Sequence, residues 1–585
     1  MTGFGLTLGS LSLELRDSAW VVAAVVFAVA LSASLGSAVV ALWPAPGQAS
    51  TTALRWAPTG AERSAPVWFV VTAVCTASAV VWFPAMGMAG GLTVVGLGLG
   101  ASQSEMQWIA DSYPLVLTAL LLPAGALLDR FGRRRGMLIG LVALTVGLVW
   151  CAYANSPESM IAARCFSAAA SALIFPATLA TLTGALPPKH QDKAVALWAG
   201  TITVGSGFGL IGVLALLEVA WWGSMFVGMA VVTAIALVLV AIAVPETKAH
   251  ESRRFDFPGA FLGVLGPGGL VLGLTEGPVH GWTYPVTLGG LALGAITLVG
   301  FLVRGFRCPY ALLDARVFKN RSVLGSSIAL IIIFTVDFAI FFLFFQFRGY
   351  AFGEGRFTTC WLIMCAAAAF VPATMYGVPI AARCGMRFVV AVSMSLCAAG
   401  VGLLGLVDRE SSPWVLIAAL LLFWTGVGGA MTPATQGILK SLPAAEQGVA
   451  SAVNDIVREF GAAIGMALFG SLYYARYRSE VADLVAASPA PLAESIHSSP
   501  GAGLAYLAAN NGSQEQIRAV QDGVFAGWQF AMWSGVGLLL VGMLITCACL
   551  PKHVRSPSRL SALEEELACA HPALTLAPEP ESVLT

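Results

Sequence analysis

The chain has 585 residues, 58% hydrophobic and only 11% charged, with 31 basic against 31 acidic side chains. A soluble domain carries about 25% charged residues, so lipid is this chain's main solvent. Zero net charge points to no nucleic-acid partner.

Other chemistries are excluded by what the chain lacks. No GxxxxGK[ST] loop is present, which argues against an ATP-driven pump. The six His form no metal-ligand spacing with Cys or acids. Cys547 and Cys549 stand two apart and read as small apolar helix residues before they read as zinc ligands. No nucleophile–base pairing is visible, so an enzyme is not expected, and no cofactor or metal is implied.

In chain order, residues 1–65 form an N-terminal extension. Within it, 19–43 is apolar enough for a span. Two readings stay open: an uncleaved fifteenth helix, or a stretch from an overlong reading frame. A span needs about 20 apolar residues. Such runs fall near 67–89, 106–128, 137–155, 158–186, 195–217 and 219–244, a six-helix unit over 66–244. Two more, near 259–277 and 284–303, lie in a linker over 245–323 with a cytoplasmic loop. Six follow over 324–550, near 324–346, 357–380, 388–406, 413–434, 449–473 and 526–549. The polar stretch 474–523 reads as an outside loop or short helix, and 551–585 as a cytoplasmic tail.

Charge orients these runs. If the first of the fourteen starts inside, twenty basic residues fall in inside turns, among them Arg130, Arg133, Arg134, Arg135, Lys248, Arg304, Arg383, Arg387, Lys440 and Lys552. Six fall outside: Arg348, Arg356, Arg409, Arg476, Arg478 and Arg518. The bias is positive-inside. It predicts a multi-pass protein of the cell membrane with a cytoplasmic C-terminus.

One turn stands out. "GALLDRFGRRRG" (125–136) packs one acid and four arginines between two membrane runs. The arginines suit an inside face, but Asp129 does nothing for topology. Gly125 and Gly132 give a tight turn its backbone freedom. "YGVPIAARCGMRF" (376–388) echoes this turn at an offset of 253, with Arg383, Gly385 and Arg387 matching Arg130, Gly132 and Arg134, and Ala382 replacing the acid. Repeated halves around a central site are a common transporter plan.

Charges inside the runs are the next candidates. Arg164 lies within the fourth, and a buried membrane Arg is costly and usually functional. Asp337 sits mid-run in "ALIIIFTVDFAIFFLFF" with no basic neighbour in sequence. Asp455 and Glu459 lie one helical turn apart with Arg458 between them. Asp111 is a few residues inside the second run. In low dielectric a carboxyl titrates above its ordinary value, as a proton carrier requires. The structural alternatives stay open: a hydrogen-bonded buried acid for Asp337, an intrahelical ion pair with Arg458 for Asp455 and Glu459, a helix-end position for Asp111, and a snorkelling side chain for Arg164.

The 125–136 turn resembles the signature loop between the second and third helices of the major facilitator superfamily. The fourteen runs make the resemblance specific to its drug:proton antiporter branch with two inserted helices. "QWIADSYPLVLTALLL", "WWGSMF", "LTEGPVHGWTYPVTL", "LLDARVFKNRSV" and "GVASAVNDIVREFGAAIGMALFGSLYYARYR" resemble actinobacterial-type members of that branch. The resemblance implies an all-α fold of two six-helix bundles plus two inserted helices. It implies a proton-coupled exporter of small amphipathic drugs, dyes or natural products, with protons and the bilayer as its other partners. By the same resemblance Asp129, with Arg130 and Arg133, latches onto the helix starting near Gly448, and Arg164 helps proton transfer or couples the acids. Gln346 matches a family Gln, and Asn454 and Arg458 join it as candidate cavity residues.

Departures from the pattern are visible too. Pro84, Ala89 and Thr93 stand where the first helix usually carries Asp, Asn and Pro. Ser167 and Ala168 replace Gln and Gly after Arg164. The fifth helix keeps Gly205 and Gly209, but Leu210 replaces Pro, and Val213 and Leu214 replace a Gly pair. These changes favour one alternative, a degenerate homologue that acts as a membrane ligand sensor or assembly partner without coupled transport; within transport, the alternative is a dedicated exporter of one metabolite.

Overall fold

A computed structural model describes residues 66–101, 103–186, 188–247, 256–308, 310–355, 358–359, 362–363, 368–441 and 447–550. The extension with its 19–43 run, the tail 551–585, Lys248 and Arg356 lie outside the described residues. So do the side chains of Ala89 and Thr93 and the surroundings of Gly205.

The apolar runs fold as helices. The first six are α1 (Val67–Leu99), α2 (Gln103–Phe131), α3 (Arg133–Ala152), α4 (Pro157–Ala185), α5 (Pro188–Val219) and α6 (Ser224–Ala243). Then come α7 (Phe257–His280) and α8 (Pro285–Arg307), a short 3-10 turn (Ala315–Lys319), and α9 (Arg321–Phe352). The rest are α10 (Phe370–Cys384), α11 (Met386–Gly405), α12 (Pro413–Leu439), α13 (Gln447–Glu480), the short α14 (Ala482–Ala487), α15 (Ala490–Ser498) and α16 (Pro500–Ala509), and α17 (Gln514–Cys549). Among the described residues twelve helices are long and apolar enough to cross a membrane, and there is no strand.

Helix starts follow local chemistry. Ser156 and Ser412 cap α4 and α12 through their side-chain oxygens, each followed by Pro at the first helical position. Ser513 and Gln516 form a capping box at α17. That box and the Arg476–Glu480 ion pair, at 2.8 Å, carry α17 and α13 beyond their apolar runs. The stretch read as 474–523 is therefore largely helical. The tenth helix is described from Phe370, later than its apolar run begins.

Packing groups the helices. α1 lies against α5 and α6, and α4 against α2 and α3. α9 lies against α13 and α17, and α12 against α10 and α11. The groups meet where α2 and α4 face α13 on one side and where α5 faces α10 and α12 on the other. α7 and α8 form a hairpin, with α7 docked on α2 and α13. Its backbones approach closely: a side chain at Gly269 would sit 2.8 Å from the Gly294 nitrogen, and one at Gly290 2.9 Å from that of Gly273. This is the small-xxx-small contact that holds helices together in lipid.

The altered fifth helix has a physical counterpart. The small surface it lacks stands on α1 instead. A side chain at Gly90 would meet Leu210 at 3.0 Å and Leu214 at 3.3 Å, and one at Gly87 would meet Val213 at 3.3 Å. The close contact survives with large and small partners exchanged between helices.

Candidate functional site

The turn between α2 and α3 is built around Gly132, whose φ is 109°. That value is natural only to glycine. Asp129 is 7% exposed. Its Oδ1 accepts from Arg133 Nη2 at 2.8 Å and Nε at 3.2 Å. Its Oδ2 accepts from the backbone N–H of Val449 at 3.2 Å, in the first turn of α13. First-turn N–H groups have no intrahelical acceptor, and a carboxylate is favoured there. Arg133 is itself buried and donates to the Ala180 carbonyl at 3.1 Å, tying the turn to α4. Arg130 stacks on Phe131 with its guanidinium 5.6 Å from the ring centre. Gly125 is buried in α2.

Sequence reasoning missed Glu246. Its two oxygens accept from the backbone N–H groups of Arg134 and Arg135, both at 3.2 Å. It therefore caps α3 with a negative charge, the sign a helix start favours. The repeat is also physical. Gly385, like Gly132, has positive φ, at 90°. Arg134 donates to the Ala241 carbonyl in α6 at 2.8 Å, and Arg387 to the Leu550 carbonyl after α17 at 2.6 Å. Each arginine clamps the last helix of its group at its carbonyl end.

At the seam, Arg458 of α13 is 4% exposed and lies over three rings: Phe334 at 4.5 Å, Trp198 at 5.7 Å and Phe175 at 5.9 Å. Trp198 and Phe175 come from α5 and α4, so the cation sits on aromatic faces of the opposite group. Trp82 of α1 extends the cluster, 5.8 Å from Phe175 and 6.1 Å from Phe338. Asp337, Asp455 and Glu459 act on Arg458 electrostatically. Among the described residues it pairs directly with none of them, and its Nε and Nη1 have no acceptor. The intrahelical ion pair open to Asp455 and Glu459 is therefore not formed. The guanidinium is drawn instead to the rings.

Asp337 accepts from Trp424 Nε1 of α12 at 3.1 Å. Arg458 is its charged neighbour. Arg164 is elsewhere: it donates to the Pro84 carbonyl at 3.1 Å and to the Ala110 carbonyl at 3.2 Å, and lies over Tyr113 at 5.5 Å. The Ala110 carbonyl would otherwise be bare, because Pro114 four residues on has no N–H to offer it. Tyr113 in turn donates to the Val81 carbonyl or to Ser171 Oγ. Asp111, half-buried, acts electrostatically on Arg164. So Arg164 pins α1, α2 and α4 together, buried at 1% exposure.

The remaining candidates are separate. Asn454 accepts from Thr435 Oγ1 at 3.0 Å and donates to Asp455 Oδ1 at 3.1 Å. Gln346 accepts from Tyr474 at 3.1 Å. It lies nine residues beyond Asp337 on the same helix. Two and a half turns of α-helix separate their levels, so Gln346 does not join the central cluster.

Two groups of apolar helices meeting at a buried, charged and aromatic seam define a membrane carrier. The sequence profile of the Major Facilitator Superfamily matches residues 74–466, and the chain belongs to that family. Several of its relatives carry multidrug-resistance or efflux names. It is 30% identical to the multidrug resistance protein Stp of Mycobacterium tuberculosis (strain CDC 1551 / Oshkosh) over 63% of this chain and 69% of that protein. It is 30% identical to the multidrug efflux pump LfrA of Mycolicibacterium smegmatis over 65% of this chain and 75% of that one. The crystal structure of the human organic anion transporter MFSD10 shares the fold, with a TM-score of 0.54 at 13% identity over 82% of this chain and 99% of that one.

Proposed function

We propose that the chain is a proton-coupled exporter of small amphipathic molecules working by alternating access. It crosses the cell membrane fourteen times, with the 129–136 turn and the C-terminal tail in the cytoplasm. Substrate binds near the midplane between the two groups of helices, which rock to expose it to each side in turn.

One observation carries this reading. The buried charges Asp455, Arg458 and Glu459 and the half-buried Asp337 stand at the seam, beside rings supplied by the other group. Intramembrane ionisable groups are retained for ion or substrate pathways. The aromatic surface suits amphipathic molecules, and the names of the bacterial relatives agree with export of drug-like compounds.

The test is expression in a pump-deficient bacterium with a panel of drugs and dyes, with and without a protonophore. Efflux that the protonophore abolishes is expected. Efflux indifferent to the protonophore would sink the proton coupling. No change in resistance or retention for any compound would sink export itself.

A further inference from the structure

The outer hairpin carries a groove that the transport reading does not use. It measures about 460 Å³ and opens at the ends of α7 and α8 nearest the 3-10 turn. Leu262, Gly300 and Val303 form its apolar part, and Arg304, Arg307 and Tyr310 its polar end. Arg304 is partly committed: it pairs with Asp256 at 2.7 Å. Arg307 is exposed and, among the described residues, its side chain has no hydrogen bond or ion pair. Two more cations, Arg316 and Lys319, stand beside the same helix end against Phe306, with Asp314 capping the 3-10 turn.

α8 packs chiefly on α7. Its outer face presents Leu293, Ile296 and Val299 at 47–71% exposure, as a surface in lipid does. The groove continues that apolar surface and ends in arginines where the helix leaves it. Its two ends want different things: hydrocarbon below and an anion above.

We infer that this groove binds an anionic phospholipid, its phosphate on Arg307 and the free side of Arg304, its acyl chain along Gly300 between Leu262 and Val303. Basic pockets at helix ends select such headgroups, and Gly300 leaves the channel for the chain. The hairpin is thereby anchored to one leaflet as a lipid-dependent strut beside α2 and α13.

The test uses the full-length purified protein, stripped of lipid and offered equimolar phosphatidylglycerol and phosphatidylcholine, with retained lipid read by native mass spectrometry. Phosphatidylglycerol should be preferred about tenfold. Arg307→Gln should lose most of that preference and Arg307→Lys should keep much of it. Gly300→Leu leaves every charge in place, and a β-carbon there meets Leu262 at an ordinary 3.6 Å. It should abolish retention by filling the channel while the melting temperature holds. Equal retention of the two lipids, or full retention in both Arg307→Gln and Gly300→Leu, would overturn the site. Displacement of the lipid by millimolar inorganic phosphate would overturn the lipid assignment in favour of a free-anion site.

Discussion

Asp129 serves two partners at once, with one oxygen on Arg133 and the other on Val449 N–H. Asp129→Asn keeps the size but removes the charge that both partners seek. Transport should fall strongly with normal membrane levels, and the loss of charge-assisted bonds should cost about 1–3 kcal/mol of stability, read as a lower melting temperature. Wild-type transport rates in that variant would reduce the turn to a topological anchor. At the seam, Asp337 accepts from Trp424 and has Arg458 as its charged neighbour, and it is the acid we propose as the proton carrier. Asp337→Asn should uncouple efflux from the pH gradient while ligand still binds, measured on the same purified variant. Unchanged gradient-driven efflux would move the assignment to Asp455 or Glu459. Asp129 was legible in the sequence because topology gives an acid no reason to be there. Its partner was not, since a main-chain N–H carries no residue identity. The rings around Arg458 were hidden for a related reason. Phe175, Trp198 and Phe334 belong to three different apolar runs, and only tertiary packing selects them from the many other aromatics.

Between elements, two contacts can be tested directly. On α1, Gly90 faces Leu210 and Leu214 of α5 within 3.3 Å of where a side chain would begin. Gly90→Leu should force the pair apart at a cost of about 1–3 kcal/mol, seen as a lower melting temperature and, if the contact seals the carrier, as proton leak into vesicles. The hairpin is clasped by Asp256, which caps α7 through Gly259 N–H at 2.9 Å, accepts from Leu312 N–H at 3.0 Å and pairs with Arg304. Burial alone would raise its pKa, but Arg304 and the two N–H donors outweigh that and hold it below the usual value. A lowered folded pKa means stability present above the unfolded value of about 3.9. It is lost as pH falls through the folded one. Asp256→Asn should therefore melt below wild type at neutral pH and converge with it in strong acid. A gap that persists unchanged there would show the charge to be irrelevant. The apolar runs were readable because lipid demands about 20 such residues. Helix ends were less so: capping groups and pairs such as Arg476–Glu480 extend helices past the oil, beyond the reach of hydropathy.

Across the whole molecule, among the described residues, the two groups of helices touch at one end through polar contacts on opposite flanks. One is Asp129 on α13. The other is Lys440 Nζ on Asp192 at 2.9 Å, joining α12 to α5. Both of the latter side chains are 42% exposed, so this pair contributes little stability alone. It does mark where the end must part if the halves rock. Cysteines at 192 and 440 joined by a short cleavable cross-linker should stop transport, and cleavage should restore it. Full activity of the linked protein would exclude parting at this end. The doubled architecture, meanwhile, is not quite a doubling. Arg134 and Arg387 clamp their groups alike, but opposite Asp129 in the first turn stands Ala382 in the second. If the halves rock as proposed, a hook on one half alone makes the two stations of the cycle unequal in depth. A charge-assisted bond worth about 1.5–3 kcal/mol skews the resting population by about tenfold or more. Under the proposed orientation, most idle copies then face outward, and cargo arriving from the cytoplasm meets few that are ready to receive it. Its apparent affinity is diluted by that same fraction, so loosening the hook would recruit more receivers without altering a single contact in the binding site.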